Sequence, residues 1–244
     1  MSSNNLQAAI TDYYSQLAQQ YDSNRFGNSY GRYLHRQEKA MLLGLVAQWQ
    51  APILSLGCGT GRLMEVASHG VDISAEMIDV AKGKYPDKAF AVCPAAATLY
   101  PNGLFSGSFC LHVLMHLPQE DIVAILAEAH RIIQPNGWLM VDFPNQFRRK
   151  IVKQKEVGWH GNTSFTLEAF AALAAHNGWL IQRYRGLLLL PIHRLPQWLR
   201  PLLYPIDTWL CRTPLKKYAS YYLLKLQKQQ ALYILLLSLG ASLA

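Results

Sequence analysis

Residues 53–74, ILSLGCGTGRLMEVASHGVDIS, constrain the fold of this chain more than any other stretch. Ile53, Leu54 and Leu56 make a short apolar run suited to a buried strand. The run enters Gly57-Cys58-Gly59-Thr60-Gly61. Alternate glycines there permit a tight turn, and main chain can lie against a ligand with no Cβ between. The pattern predicts a helix from near Thr60, its free N–H groups facing the same space. A second short strand, residues 70–73, then carries a single carboxylate, Asp72. Strand, glycine turn, helix, strand and acid make half of a nucleoside-binding α/β unit. An ionised carboxylate accepts two hydrogen bonds at once, which suits the paired hydroxyls of a ribose.

A dinucleotide fold calls for G-x-G-x-x-G and an acid about 20 residues further on. Here the pattern is G-x-G-x-G, and Asp72 lies 11 residues beyond Gly61. Leu-Gly-Cys-Gly-Thr-Gly-Arg followed by Gly-Val-Asp-Ile-Ser-Ala-Glu-Met instead resembles motif I and the next acidic motif of class I S-adenosylmethionine-dependent methyltransferases. The small-molecule, quinone-biosynthesis type is the most similar. The resemblance implies a Rossmann-like three-layer α/β sandwich. Its sheet would have seven mostly parallel strands, the last antiparallel and inserted between its neighbours. The resemblance also implies S-adenosyl-L-methionine as cofactor. Gly57, Cys58, Gly59 and Gly61 would pass beside its methionine part, and Asp72 would hold the ribose. Ile73, Met77, Ala96, Ala97 and His112 complete the expected cofactor site.

The rest of the chain supports this order of elements. Residues 1–50 read as a helical cap: one helix through Ile10, Tyr13, Tyr14 and Leu17, a turn-rich stretch over 21–28, then a second helix over 30–49. Tyr-Asp-x-x-Arg-Phe-Gly followed by a helix is similar to the cap of many small-molecule members of the family. Tyr21, Arg25 and Arg32 are thereby candidates to reach substrate or cofactor carboxylate. Ser74 is an N-cap ahead of Met77, Ile78 and Ala81. Strands are expected at 89–92, 104–111, 138–143, 178–189 and 217–226, with helices at 119–133 and 164–177. The methyltransferase domain would span 51–228, with a Pro-broken insertion at 190–215, and residues 229–244 form an apolar tail.

His112 follows the fourth strand, at the point where doubly wound sheets bind ligands. It is the candidate general base, for a hydroxyl or an acidic carbon acceptor. His116, one turn on, is a candidate substrate contact. The family pattern is broken at three acids, which are Ser55, Ala95 and Ser106 here. Two readings stand. One is a methyltransferase acting by in-line transfer on a small apolar molecule or lipid precursor. The alternative is a catalytically impaired, methyltransferase-like binding or scaffold protein.

Charge is unevenly placed. Residues 1–142 hold nine Lys/Arg against twelve Asp/Glu, and residues 143–244 hold fourteen against three, which together give the net +8. Within 190–215, Trp198, Leu199, Leu202, Leu203, Trp209 and Leu210 alternate with Arg194, Arg200 and Arg212. Such a mixture suits a peripheral membrane contact, shared with the C-terminal tail, or else the lining of an apolar pocket or a dimer contact. The chain carries no nucleic-acid methyltransferase acceptor motif, so no nucleic-acid partner is expected. A monomer or homodimer is. Cys58, Cys93, Cys110 and Cys211 lack metal-ligand spacing, and no metal site is expected. With no secretory signal, the expected location is cytoplasmic, at or near a membrane.

Overall fold

The run at 53–56 becomes β1 (Ile53–Leu56), buried along its whole length. A strand covered by helices on both faces has no solvent side, so its residues need not alternate. The computed structural model describes residues 3–154 and 160–229. Around β1 lie β2 (His69–Asp72), β3 (Ala89–Val92), β4 (Phe105–Cys110), β5 (Ile133–Pro144), β6 (Trp179–Leu187) and β7 (Tyr221–Lys228). The seven strands run in the order β3-β2-β1-β4-β5-β7-β6. Strand β7 is antiparallel to both β5 and β6, and the remaining pairings are parallel. This is the Rossmann-like sheet with one inserted antiparallel strand. Its order reverses between β1 and β4, which puts a crevice at their carboxyl ends.

Helices cover both faces. On one side α5 (Gln119–Ile132) and α7 (Leu167–His176) pack Ile125, Leu126, Ala129 and Phe170 against Leu54, Leu139 and Val141. The stripe at 122, 125, 126, 129 and 132 is the buried face that helical spacing dictates. On the other side stands α3 (Ser29–Val46), whose Met41, Leu42, Leu45 and Val46 meet Ile53, Phe109 and Met140. Helix α4 (Ala75–Lys84) starts where the sequence places it, with Ser74 Oγ accepting the Met77 N–H at 3.2 Å.

Several expectations need correction. No helix begins at Thr60; the chain makes turns and a single 3-10 segment, Met64–Val66, before β2. Only seven residues separate Gly61 from β2, too few for a helix to rise and return. Leu63 and Met64 join the α3 cluster instead, so α3 covers the face that a crossover helix would have taken. The turn-rich stretch after α1 (Ser3–Leu17) is a short helix, α2 (Tyr21–Phe26). Strand β5 begins earlier than predicted and absorbs the Pro-Asn-Gly turn through a register shift against β4. The basic stretch after β5 contains α6 (Gln146–Ile151). The Pro-broken insertion contains an eleven-residue helix, α8 (Arg200–Leu210). Residues 230–244, which make up nearly all of the apolar tail, lie outside the described residues. Among the described residues no helix is long and apolar enough to cross a membrane.

Candidate active site

The crevice at the carboxyl ends of β1, β2 and β4 is a cavity of about 380 Å³. Gly57, Cys58, Gly59, Asp72, Ile73 and Met77 form one wall. Ala96, Ala97, His112 and His116 stand across from them, and Tyr21 comes from the cap. Of the residues expected at the site, Gly61, Arg25 and Arg32 do not line it. Gly61 has φ +79°, and a Cβ there would press on Ala81 at 3.2 Å, so it serves the packing of α4.

Asp72 is bonded to the glycine turn itself. Its Oδ2 accepts the Gly59 N–H at 2.8 Å and its Oδ1 the Ser74 N–H at 3.0 Å. Each oxygen keeps lone pairs for a further donor. Burial pushes the Asp72 carboxyl above its ordinary range, against the backbone N–H groups of Ser74 and Gly59 that pull it down. Gly59 has φ +51°, and a Cβ added there meets nothing within 4 Å, since it would project into open space. A ribose on the carboxylate and a slender tail along bare backbone therefore fit these walls. Cys58 is no nucleophile: burial, then the neighbouring Asp72 charge, push its thiol far up.

The cap is tied down over this cavity. Thr60 Oγ1 donates to Asp22 Oδ1 at 2.7 Å, and Lys84, ion-paired with Asp22, also donates to the Thr60 carbonyl at 2.8 Å. Ser15 and Ser74 hydroxyls lie 3.0 Å apart. Helix α1 thereby brings Ile10 and Tyr14 into the cavity wall.

His112 sits in surroundings that change its expected role. It adopts φ +61°, an uncommon backbone region for a residue with a Cβ. Its N–H donates to Asp142 Oδ1 at 2.7 Å, which holds that turn. Nε2 hydrogen-bonds Glu38 Oε1, and Nδ1 lies 3.7 Å from Asp142 Oδ2. Arg62 Nη1 lies 2.8 Å from Glu38 Oε2. Burial lowers the His112 pKa, but the Glu38 and Asp142 charges raise it more, for a net upward shift. Burial likewise raises Glu38, yet His112 and Arg62 hold it down at about 2. His112 is thus engaged by Glu38 and flanked by Asp142, two carboxylates whose charges favour its protonated form. Ligand atoms of Glu38, His112 and Asp142 lie within 4.8 Å of one another. The Arg62 guanidinium already brings a positive charge to Glu38.

His116 is buried beside Tyr14 and His160, its ring 4.5 Å from that of His160. The Gly161 N–H donates to its Nδ1 at 3.0 Å, so Nε2 carries the ring proton and donates to Tyr14 Oη at 3.1 Å. Burial, then His160, His112 and Arg25, push its pKa down to about 3, which keeps it neutral. Tyr14 is raised by burial and stays a phenol. Its own hydroxyl proton is left for the cavity. Arg25 acts at a distance, through its charge on these groups, and Arg32 points elsewhere and bonds the Gly27 carbonyl.

Of the three missing acids, Ser55 and Ala95 line the cavity, but Ser106 does not. Its hydroxyl bonds the Gln50 and Pro52 carbonyls at the opposite end of the sheet. Glu38, Arg62, Asp142 and Tyr14 escaped the sequence reading. One signal was present: Glu38 falls on the apolar stripe of α3 with Met41, Leu42 and Leu45, a position where an acid must be paired.

Residues 54–141, from β1 into β5, match the family described as a methyltransferase domain. No curated protein matches the chain by sequence. Solved structures share its fold at low identity. A SAM-dependent methyltransferase from Thermotoga maritima is 18% identical over 86% of this chain and 99% of its own, with TM-score 0.58. Magnesium protoporphyrin IX methyltransferase from Synechocystis PCC 6803, with bound SAH, is 16% identical over 91% of this chain and 99% of its own, at TM-score 0.65. Geranyl diphosphate C-methyltransferase from Streptomyces coelicolor A3(2) is 17% identical over 79% of this chain and 76% of its own, at TM-score 0.58.

Proposed function

We propose that this chain is an S-adenosylmethionine-dependent methyltransferase of the class I fold, and that its acceptor is a small, largely apolar molecule or lipid precursor methylated in line within the capped cavity. The observation that carries the reading is Asp72, bound to the glycine turn with lone pairs open to the cavity. When bound, S-adenosylmethionine supplies a methyl group already activated on a sulfonium sulfur.

The protein's part is then to bind, orient and exclude water. Asp72 would take the ribose hydroxyls, Gly57 to Gly59 would lie along the methionine part, and Ala95 to Ala97 would form a flat apolar wall. Ile10, Leu117 and Ile125 offer the acceptor an apolar surface. Tyr14, receiving a hydrogen bond from His116, donates its own proton to a polar atom of the acceptor. His112, its Nε2 engaged by Glu38, belongs to the buried cluster and is not given the proton-accepting part on this reading. This favours an acceptor nucleophilic enough to need no strong base. The impaired-scaffold reading loses one of its supports, because the acid missing at Ser106 would have stood outside the cavity.

Titration calorimetry with S-adenosylhomocysteine is expected to show binding, and none at millimolar concentration overturns the reading. With methyl-labelled cofactor and a cell extract, label is expected in the organic phase. Label confined to aqueous products refutes an apolar acceptor. Two glycine variants separate fold from site. In Gly57→Ala the Cβ would meet Val113 Cγ2 at 2.4 Å. That variant should lower the melting temperature. Gly59→Ala meets no atom and carries only the left-handed strain of about 1–2 kcal/mol. It should stay folded yet bind the nucleoside about tenfold more weakly, or about 1.4 kcal/mol. Equal affinities in Gly59→Ala and the unmodified chain would place the nucleoside elsewhere.

A further inference from the structure

Helix α8 turns one side to the protein and the other to solvent. Its inner side carries Asp207, fully buried, whose carboxylate accepts from Tyr33 Oη at 3.0 Å, Gln37 Nε2 at 3.0 Å and the Leu190 N–H at 2.8 Å. At 100° per residue, Leu202 and Trp209 fall opposite Asp207, and Ile206 lies on the flank of that side, about a quarter turn from Asp207. Trp198, one turn ahead of Leu202, continues the same line. These four are 63%, 49%, 63% and 71% exposed for Leu202, Ile206, Trp209 and Trp198 respectively. They form a stripe of large apolar side chains that the described residues leave exposed.

Beside the stripe, between α8 and the start of α3, lies a second cavity of about 400 Å³. Arg32, Arg36 and Arg200 line it, together with Ser29, Tyr33 and Trp198. No carboxylate lines it, and among the described residues none of these arginines is in an ion pair. Their partners are neutral: Arg32 bonds the Gly27 carbonyl, Arg200 the Ser29 hydroxyl at 2.5 Å, and Arg36 stacks 4.0 Å from the Tyr204 ring centre. Three positive charges thus converge without compensation. From residue 169 to residue 229 the one acid is Asp207, so this stretch, which carries the stripe, exposes nothing negative. Arg194, Arg212 and Lys217 are exposed nearby.

We propose that this face seats on an anionic lipid bilayer, with the Arg32–Arg36–Arg200 cavity taking a lipid phosphate and the Trp198–Trp209 stripe entering the acyl boundary. Trp198 belongs to both features, which favours a molecule that is charged and apolar at adjacent points over a free phosphate. Tryptophan at such a boundary, flanked by cations and clear of acids, matches the chemistry of an anionic membrane surface. The helix is too short to span and lies flat on this reading. The proposal goes beyond methyl transfer and stands or falls separately from it.

The test is flotation of the full chain with phosphatidylcholine vesicles, alone or with phosphatidylglycerol at about one lipid in three. Binding is expected to be about tenfold or more tighter to the mixed vesicles and to weaken with added salt. Trp198→Ala with Trp209→Ala should abolish binding to both. Arg32→Gln with Arg36→Gln should remove the preference for phosphatidylglycerol. Far-UV circular dichroism and retained S-adenosylhomocysteine binding establish that the variants fold. Absence of vesicle binding overturns the proposal, as does equal affinity for the two lipids or undiminished binding by both variants. Binding of inorganic phosphate without vesicles would assign the cavity to a soluble phosphate instead. Concentration-dependent dimerisation without vesicle binding would assign the stripe to a second copy.

Discussion

Asp72→Ala is expected to abolish S-adenosylhomocysteine binding while leaving the chain folded. Two ribose hydroxyls would each lose a hydrogen bond to a charged acceptor, at about 1.5–3 kcal/mol apiece. The sum, roughly 3–6 kcal/mol, corresponds to about 10²- to 10⁴-fold in affinity. Asp72→Asn keeps the shape and loses the charge, and should fall between. The raised pKa of this carboxyl adds a second signature. It binds as the anion, so affinity should begin to fall, on acidification, at a higher pH than an ordinary aspartate would give. Calorimetry across pH reads both effects. An Asp72→Ala protein within threefold of wild-type affinity would mean that the glycine turn and this acid do not hold a nucleoside.

Glu38→Ala should be the most destabilising single change at the site. It removes the buried partner of both Arg62 and His112 and leaves two cations facing each other in a poorly hydrated space. Breaking a buried pair in this way costs about 3–5 kcal/mol. The pH dependence has a definite sign. The folded pKa of Glu38, about 2, lies below its ordinary 4.5. Its contribution is therefore complete above 4.5 and lost as pH falls toward 2. His112 is raised above 6.5, so its contribution is complete below 6.5 and lost as pH climbs through the folded value. Asp142 is also raised, by burial first, and its ionisation works against the fold as pH climbs above 3.8. In urea unfolding the cluster's own contribution to wild-type stability should thus be greatest in mildly acid solution, between about 4.5 and 6.5, and fall on both sides, set against the separate loss below 6.5 that neutral His116 brings. In Glu38→Ala this dome should flatten. A variant within 1 kcal/mol of wild type at every pH would show that the cluster contributes nothing net (compare the about 0–1 kcal/mol of surface pairs).

The sheet was legible because its strands are apolar runs bounded by Gly, Pro and Asp, and because Ser74 marks a helix start by its own side chain. What failed has physical reasons. Leu63, Met64 and Val66 have the look of a helix, but the seven residues available between turn and strand do not allow one. Helix α8 was hidden by its prolines. Pro201 sits in the first turn, where a missing N–H has no partner to lose, and Pro205 deprives only the carbonyl of exposed Pro201. The glycine turn and Asp72 were readable as a unit because they are local. The Glu38–His112–Asp142 cluster joins residues 74 and 30 positions apart, which no local pattern encodes. It is also what alters the chemistry expected of His112.

The short connection between β1 and β2 reaches further than the loop itself. Since α3 does the covering there, the segment that helps define what enters the cavity is also one wall of the hydrophobic interior. Exchanging residues 1–50 for those of a relative, a natural way to re-target such an enzyme, would dismantle the sheet's shelter in the same stroke. Selectivity and folding are thus heritable here only as a package, and re-engineering must proceed side chain by side chain along the inner edge of one helix.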